Sequence, residues 1–325
     1  MNFAYPAHSL LLALPALWMD LDWALAYWLA FNITLLLILP WLALQGKRRW
    51  LCLTLPFIPA FVSGLILGNN AVGVGIAFLA GWGLLTRDEK PGSFLQICAG
   101  VCLAWGTIKP QLIWAPLLFA LLIAAQKRLW GVLGGFGAAC LGFLGLSWWI
   151  TPGWPAMWLK RIAEYRAYAG SPPLAFIYPA NFLPEPTAHS VGIAILAMGG
   201  LITAMLFLAW RRGKAPTLPT LAWCSFYTYL VDPAIIITYQ EIALVIPILL
   251  WVLQPEISNR QALAVWGITF ITAWALFSGS LLKLDPAMFY QLPLVAYGGF
   301  LAWSWLASPR QAARKVGLQP ALEEG

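Results

Sequence analysis

"WALAYWLAFNITLLLILPWLALQGKRR", residues 23–49, decides the fold. The run carries no charge from Trp23 to Gln45, and three cations then follow at once in Lys47, Arg48 and Arg49. A hydrocarbon core about 30 Å thick is crossed by about 20 apolar residues in a helix. Inside lipid, a single segment satisfies its own backbone donors and acceptors only as a helix. The stretch therefore reads as a membrane crossing stopped by a basic turn.

Working outward, the pattern repeats. The chain of 325 residues is 61% hydrophobic and 10% charged, where a soluble domain has about a quarter of its residues charged. Eleven crossings are predicted, at about 23–45, 50–67, 71–86, 92–108, 111–125, 129–150, 190–210, 217–231, 237–253, 262–279 and 287–306. The alternating segments of about ten residues that mark a membrane β-barrel are missing from the sequence. The reading is an all-α polytopic membrane protein, with residues 1–325 one integral membrane domain. Residues 3–19 form a short apolar segment at the interface, ended by Asp20 and Asp22.

The connections sort by charge. Lys47, Arg48, Arg49, Arg87, Lys90, Lys127, Arg128, Arg211, Arg212, Lys214, Arg260, Arg310, Arg314 and Lys315 fall on one side; Lys109, Lys160, Arg161, Arg166 and Lys283 fall on the other. By the positive-inside rule the first set is cytoplasmic. The C-terminus is then cytoplasmic and, with eleven crossings, the N-terminus is outside. The net charge of +7 thus reports topology, and no nucleic-acid partner is expected. One long outer connection runs from 151 to 190. Within it "MWLKRIAEYRAYAG" spaces Trp158, Ile162 and Tyr165 as one apolar helix face, as in a helix lying in the membrane interface. "SPPLAFIYPANFLPEP" after it reads as an irregular, proline-pinned loop.

Five cysteines lie inside apolar runs, where they pack as small hydrophobes, and two histidines exclude a His-built metal site. No metal and no cofactor are expected. Lys109 is followed by Pro110 and Gln111 at the outer end of a crossing. It is either a lysine snorkelling to the interface or an ammonium aimed at a phosphate. Asn69 and Asn70, after Gly68, either form a turn or hydrogen-bond a polar head group. Asp232 precedes Pro233, and Tyr239, Gln240 and Glu241 open the next crossing. These polar groups either cap helix ends or supply a site carboxylate. Asp20 and Asp22 read as helix-start residues.

Three of these stretches, taken in order, carry a resemblance. "FAYPAHSLLLALPALWMDLDWALAYWLAFN", "GNNAVGVGIAFLAGWGLL" and "CAGVCLAWGTIKPQLIWAPLLFALLIAAQKRLWG" resemble the Tyr-Pro-Pro, Gly-Gln-x-Asn and Ala-Gly…Lys-Pro segments of the mannosyltransferase-like glycosyltransferase family 87. The likeness covers residues 2–130 and, more faintly, 220–252. It implies a GT-C-like bundle in a bacterial plasma membrane, active on the extracytoplasmic face. The implied partners are a polyprenyl-phosphate sugar donor, a lipid or glycan acceptor, and membrane lipids. The implied reaction is an inverting hexosyl transfer with an aspartate as general base.

The same likeness places that aspartate, with a preceding helix, upstream of Tyr5-Pro6, so this chain is expected to lack one helix and its loop. Asp22 and Asp232 are the substitutes for the base. Tyr5, Asn69, Asn70, Lys109, Gln111, Arg161, Arg166 and Gln240 are the expected substrate-binding residues. Asn69 stands where the family has Gln, and Ala71 where it has Asn. A family histidine falls on Gln240 counted back from Pro247, or on Thr238 counted forward from Pro233. A catalytically incomplete relative, or a transporter or flippase of a lipid-linked or anionic solute, is the competing reading. The absence of an internal repeat weighs against a transporter built on repeats.

Overall fold

The structure is a computed structural model that describes residues 15–16, 18–87, 91–169, 172–232, 237–282 and 286–315, with some side chains among them left undescribed. Among these residues every regular element is helical. In chain order the α-helices are α1 (Leu21–Ala43), α2 (Pro59–Ile66), α3 (Ala71–Thr86), α4 (Ser93–Ala104), α5 (Pro110–Gln126), α6 (Trp130–Ile150) and α7 (Trp154–Ala169). They continue with α8 (Leu174–Ala180), α9 (Glu185–Arg211), α10 (Thr217–Val231), α11 (Ile237–Gln240), α12 (Ile242–Val252), α13 (Asn259–Leu281) and α14 (Pro286–Lys315).

Four of these helices are long and apolar enough to cross a membrane: α1, α6, α9 and the Asn259–Gly279 part of α13. The expected crossing at 50–67 is a bent pair, a 3₁₀ stretch, Arg49–Phe57, joined to α2 at 53°, which together is long and apolar enough to cross a membrane. Pro56 and Pro59 explain the break, because neither offers an N–H to continue the helix. Proline acts again in α5, which leaves helical geometry at Ile113, three residues before Pro116.

The expected irregular loop at 171–186 is corrected. Its centre forms the short helix α8, with Pro173 at the N-cap. Prolines at a helix start remove no bond, since the first N–H groups have no helical partner. The stretch expected to lie along the interface is helical, as α7.

Two helices form the centre. In α3 nearly every residue from Ala71 to Leu85 is buried, and in α12 every residue is. α1, α4 and α5 pack around α3, while α10 and α13 pack on α12. Glycine sets how near the helices come. A Cβ at Gly100 of α4 would strike the backbone of Val132 and Phe136 on α6, and one at Gly135 would lie 2.6 Å from the Ile97 carbonyl oxygen. Close backbone approach through small residues is the usual means of helix association in lipid, where no hydrophobic force draws helices together.

Contacts between connections fall into two sets. Arg48 donates to the carbonyls of Ile257 (2.7 Å) and Gln254, Gln45 meets Arg87, and Gln126 donates to the Arg211 carbonyl at 3.3 Å. These are the turns assigned to the basic side. Asn69, Lys109, Asp232 and Leu174 meet one another in the other set.

Candidate functional site

The site begins with a helix ending. α2 closes on Gly68 in the left-handed region (φ +60°), with Gly68 N–H bonded to Leu65 O and Asn69 N–H to Gly64 O. This is the Schellman arrangement, which favours glycine at that position. It turns the chain so that the Asn69 side-chain oxygen Oδ1 accepts the Ala71 N–H at 2.9 Å, starting α3. The same oxygen accepts Lys109 Nζ at 3.0 Å. Asn69 thus forms the turn, one of the two readings the sequence left open, and the same side chain meets Lys109.

Lys109 is 3% exposed and sits at the N-cap of α5, held by Pro110. Such burial is not snorkelling. Its ammonium also lies 4.0 Å from the centre of the Tyr239 ring, a cation–π contact that gains strength when desolvated. Gly64 permits this, since a side chain there would press on Val72 of α3 and reach Tyr239.

Asp232 faces Lys109 from the end of α10. It is 4% exposed and takes a hydrogen bond from the Gln240 side chain. Burial pushes its carboxyl above the ordinary carboxylate range, while Lys109 and Gln240 pull it back. Burial pushes the Lys109 ammonium down, and the Asp232 charge pulls it up. Capping does not account for Asp232, because a carboxylate at a helix C-terminus opposes the helix dipole. Its backbone carbonyl accepts the Leu174 N–H at 3.4 Å, which anchors α8 to the site.

The electrostatics are polarised. On one side stand the N-terminus of α3 and the Lys109 ammonium, joined through Asn69, an arrangement suited to an anion. On the other side stand the C-terminus of α10 and the Asp232 carboxylate. At the rim, the buried Trp28 indole N–H has no hydrogen-bond partner and lies beside Gly68.

The structure therefore brings together Asn69, Lys109, Asp232 and Gln240, to which Tyr239 adds the ring that sequence reasoning did not assign to the site. The only sequence signal for Tyr239 was its place beside Gln240. Asn70 is the N-cap of α3 and makes no side-chain cap bond. Gln111 is exposed. Asp22 lies exposed in the first turn of α1, the place expected of a helix-start residue. Arg161 is exposed in an ion pair with Glu164 (2.6 Å) on the same helix. Tyr5 and the Arg166 side chain, like that of Thr238, fall outside the described residues. No group of three or more His, Cys, Asp or Glu side chains able to hold a metal ion occurs among the described residues.

The model of glycosyltransferase family 87 matches residues 3–238. That stretch contains Asn69, Lys109 and Asp232, and ends one residue before Tyr239. Neither the curated proteins nor the solved structures offer a match.

Proposed function

The chain belongs to glycosyltransferase family 87, and from that premise we propose that it moves a hexose, with inversion, from a polyprenyl-phosphate donor to a lipid or glycan acceptor on the extracytoplasmic face. The observation that carries the reading is Lys109, a buried cation set beside the N-terminus of α3 and opposed by a buried carboxylate.

In the proposed reaction the bond between the anomeric carbon and the phosphate oxygen breaks, and its electron pair goes to the phosphate. Lys109, helped by the N-terminus of α3, neutralises that growing charge in a site sheltered from water. The acceptor oxygen bonds to the anomeric carbon and its proton passes to a carboxylate. Of the two candidates, Asp232 is preferred to Asp22, because it stands in the cluster with Lys109 whereas Asp22 is exposed on α1. Gln240 holds Asp232 in place, and the Trp28 N–H is available to a phosphate oxygen. The sugar's developing positive charge would face the Asp232 side.

The test is transfer by the purified chain from a panel of polyprenyl-phosphate sugars to a lipid acceptor extract. Lys109→Met should lower the rate about 10²–10³-fold, or about 2.7–4 kcal/mol, the cost of removing one preorganised transition-state donor. Lys127→Ala, an exposed lysine on the other set of turns, should leave it unchanged. Equal effects of the two changes would refute the assignment.

A further inference from the structure

A second feature lies on the other face of the α11–α12 junction. Tyr239 and Gln240 turn toward Lys109 and Asp232, but the next residue, Glu241, faces a cavity of about 330 Å³ between α12, α13 and α14. The walls are apolar, built from residues such as Ile248, Leu276 and Phe300. Ile268 and Val295 at the rim are 59% and 71% exposed, so the mouth opens sideways through the surface that would face lipid. Glu241 is 6% exposed, and its Oε1 atom has no hydrogen-bond partner. Although it stands at the N-cap of α12, its side chain caps nothing. The Tyr297 hydroxyl, also in the lining, is already committed to the Ala222 carbonyl at 3.1 Å.

A buried carboxylate oxygen left without a donor carries its full desolvation penalty. Packing gives no reason to keep it, since an apolar side chain would suit these walls better. We propose that this cavity is a lipid-binding site for a neutral lipid alcohol, whose apolar chain enters between α13 and α14 and whose hydroxyl donates to Glu241. The chemistry of the walls selects that ligand. A phosphate head would bring its charge into an apolar chamber whose lining holds no cation to meet it. An ammonium head would give up its hydration in an apolar chamber, a cost a hydroxyl largely avoids. The alcohol could be an isoprenoid alcohol or a glycerolipid with a free hydroxyl. Because Glu241 adjoins Gln240 in the chain, occupancy would also bear on the element that holds Asp232.

The probe is a long-chain primary alcohol with a photoactivatable diazirine at mid-chain, offered to the full chain in detergent. The same chain ending in methyl, ammonium or phosphate serves for comparison, and labelled peptides are read by mass spectrometry. The alcohol should label α13 and α14 about tenfold more than the methyl-ended chain, the scale of a hydrogen bond to a charged group. Competition by a polyprenol or by a diacylglycerol identifies the source, and displacement by neither overturns the proposal. Ala296→Phe, which fills the cavity, should abolish labelling. Glu241→Leu should erase the preference for alcohol while raising the thermal midpoint, which a carboxylate kept for folding would not do. Equal labelling by alcohol and methyl probes, stronger labelling by ammonium or phosphate, or unchanged preference in Glu241→Leu would each overturn the proposal. The readout uses no sugar transfer, so its failure leaves the glycosyltransferase reading untouched.

Discussion

Asp232 shows how one carboxylate is tuned by its surroundings. Its burial favours the protonated form, and Lys109 and Gln240 oppose that without cancelling it. A carboxyl raised in this way is a stronger base than a free aspartate, but it works only when deprotonated. The acidic limb of the kcat/KM profile should therefore lie at higher pH than the usual aspartate value of about 3.9. Activity should be lost as pH falls through that limb, and lost again as pH rises through the lowered Lys109 value of about 8, because the leaving phosphate needs the ammonium. Asp232→Asn should lower the rate about 10²–10⁴-fold, the range of a general base, and remove the limb from whatever activity remains. A limb that survives in Asp232→Asn would assign the base to another residue, with Asp22 the next to test. Exposed Arg161 makes the contrast: its ion pair with Glu164 in solvent belongs to a class worth little.

At the scale of elements, the fold rests on close helix contacts made by small side chains. α4 and α6 meet at Gly100 and Gly135, each against the backbone of the other helix. Gly100→Leu places atoms where the Val132 carbonyl and Phe136 nitrogen stand. Overpacking of this kind costs about 1–3 kcal/mol or more. The expected result is a lower thermal midpoint in detergent and a smaller fraction of folded protein, with α4 peptides first to lose protection from hydrogen exchange. Gly134→Leu, one position away and facing open space, should be near neutral. If both changes cost the same, the α4–α6 contact is not as described. Short helices are possible at the centre for a related reason. α3 has 16 residues, a length of about 24 Å, which falls short of a crossing. Its ends meet protein instead of lipid, which leaves the Asn69 and Lys109 cluster embedded in the molecule.

For the whole molecule, the proposed orientation puts the Lys109 cluster outside and the basic turns in the cytoplasm. With the five native cysteines replaced, a cysteine at Asn181 should react with an impermeant thiol reagent added to intact cells. One at Lys214 should react only after lysis; both positions are exposed. The reverse result would invert the topology and move the proposed chemistry to the cytoplasmic face.

Hydropathy alone placed most helices, because an apolar run bounded by charge or proline has few other options in a membrane. The expected runs at 71–86, 129–150 and 217–231 coincide within a residue with α3, α6 and α10. Lys109, Asp232, Asn69 and Gln240 also stood out, since polar groups near apolar runs are costly and need a reason. What the sequence could not supply was which helices face one another. α3 and α12 are buried nearly all round, while α1, α6 and α9 bury only a few of their residues, yet all five read alike. Lipid and protein interior are equally apolar, so composition does not tell the two faces apart. For the same reason the ring of Tyr239 beneath Lys109, the helix α8 anchored on Asp232, and the Glu241 cavity belong to tertiary structure alone. Each joins groups whose separation along the chain carries no signal, and only the packing of α2, α3, α5 and α10–α14 brings them within reach.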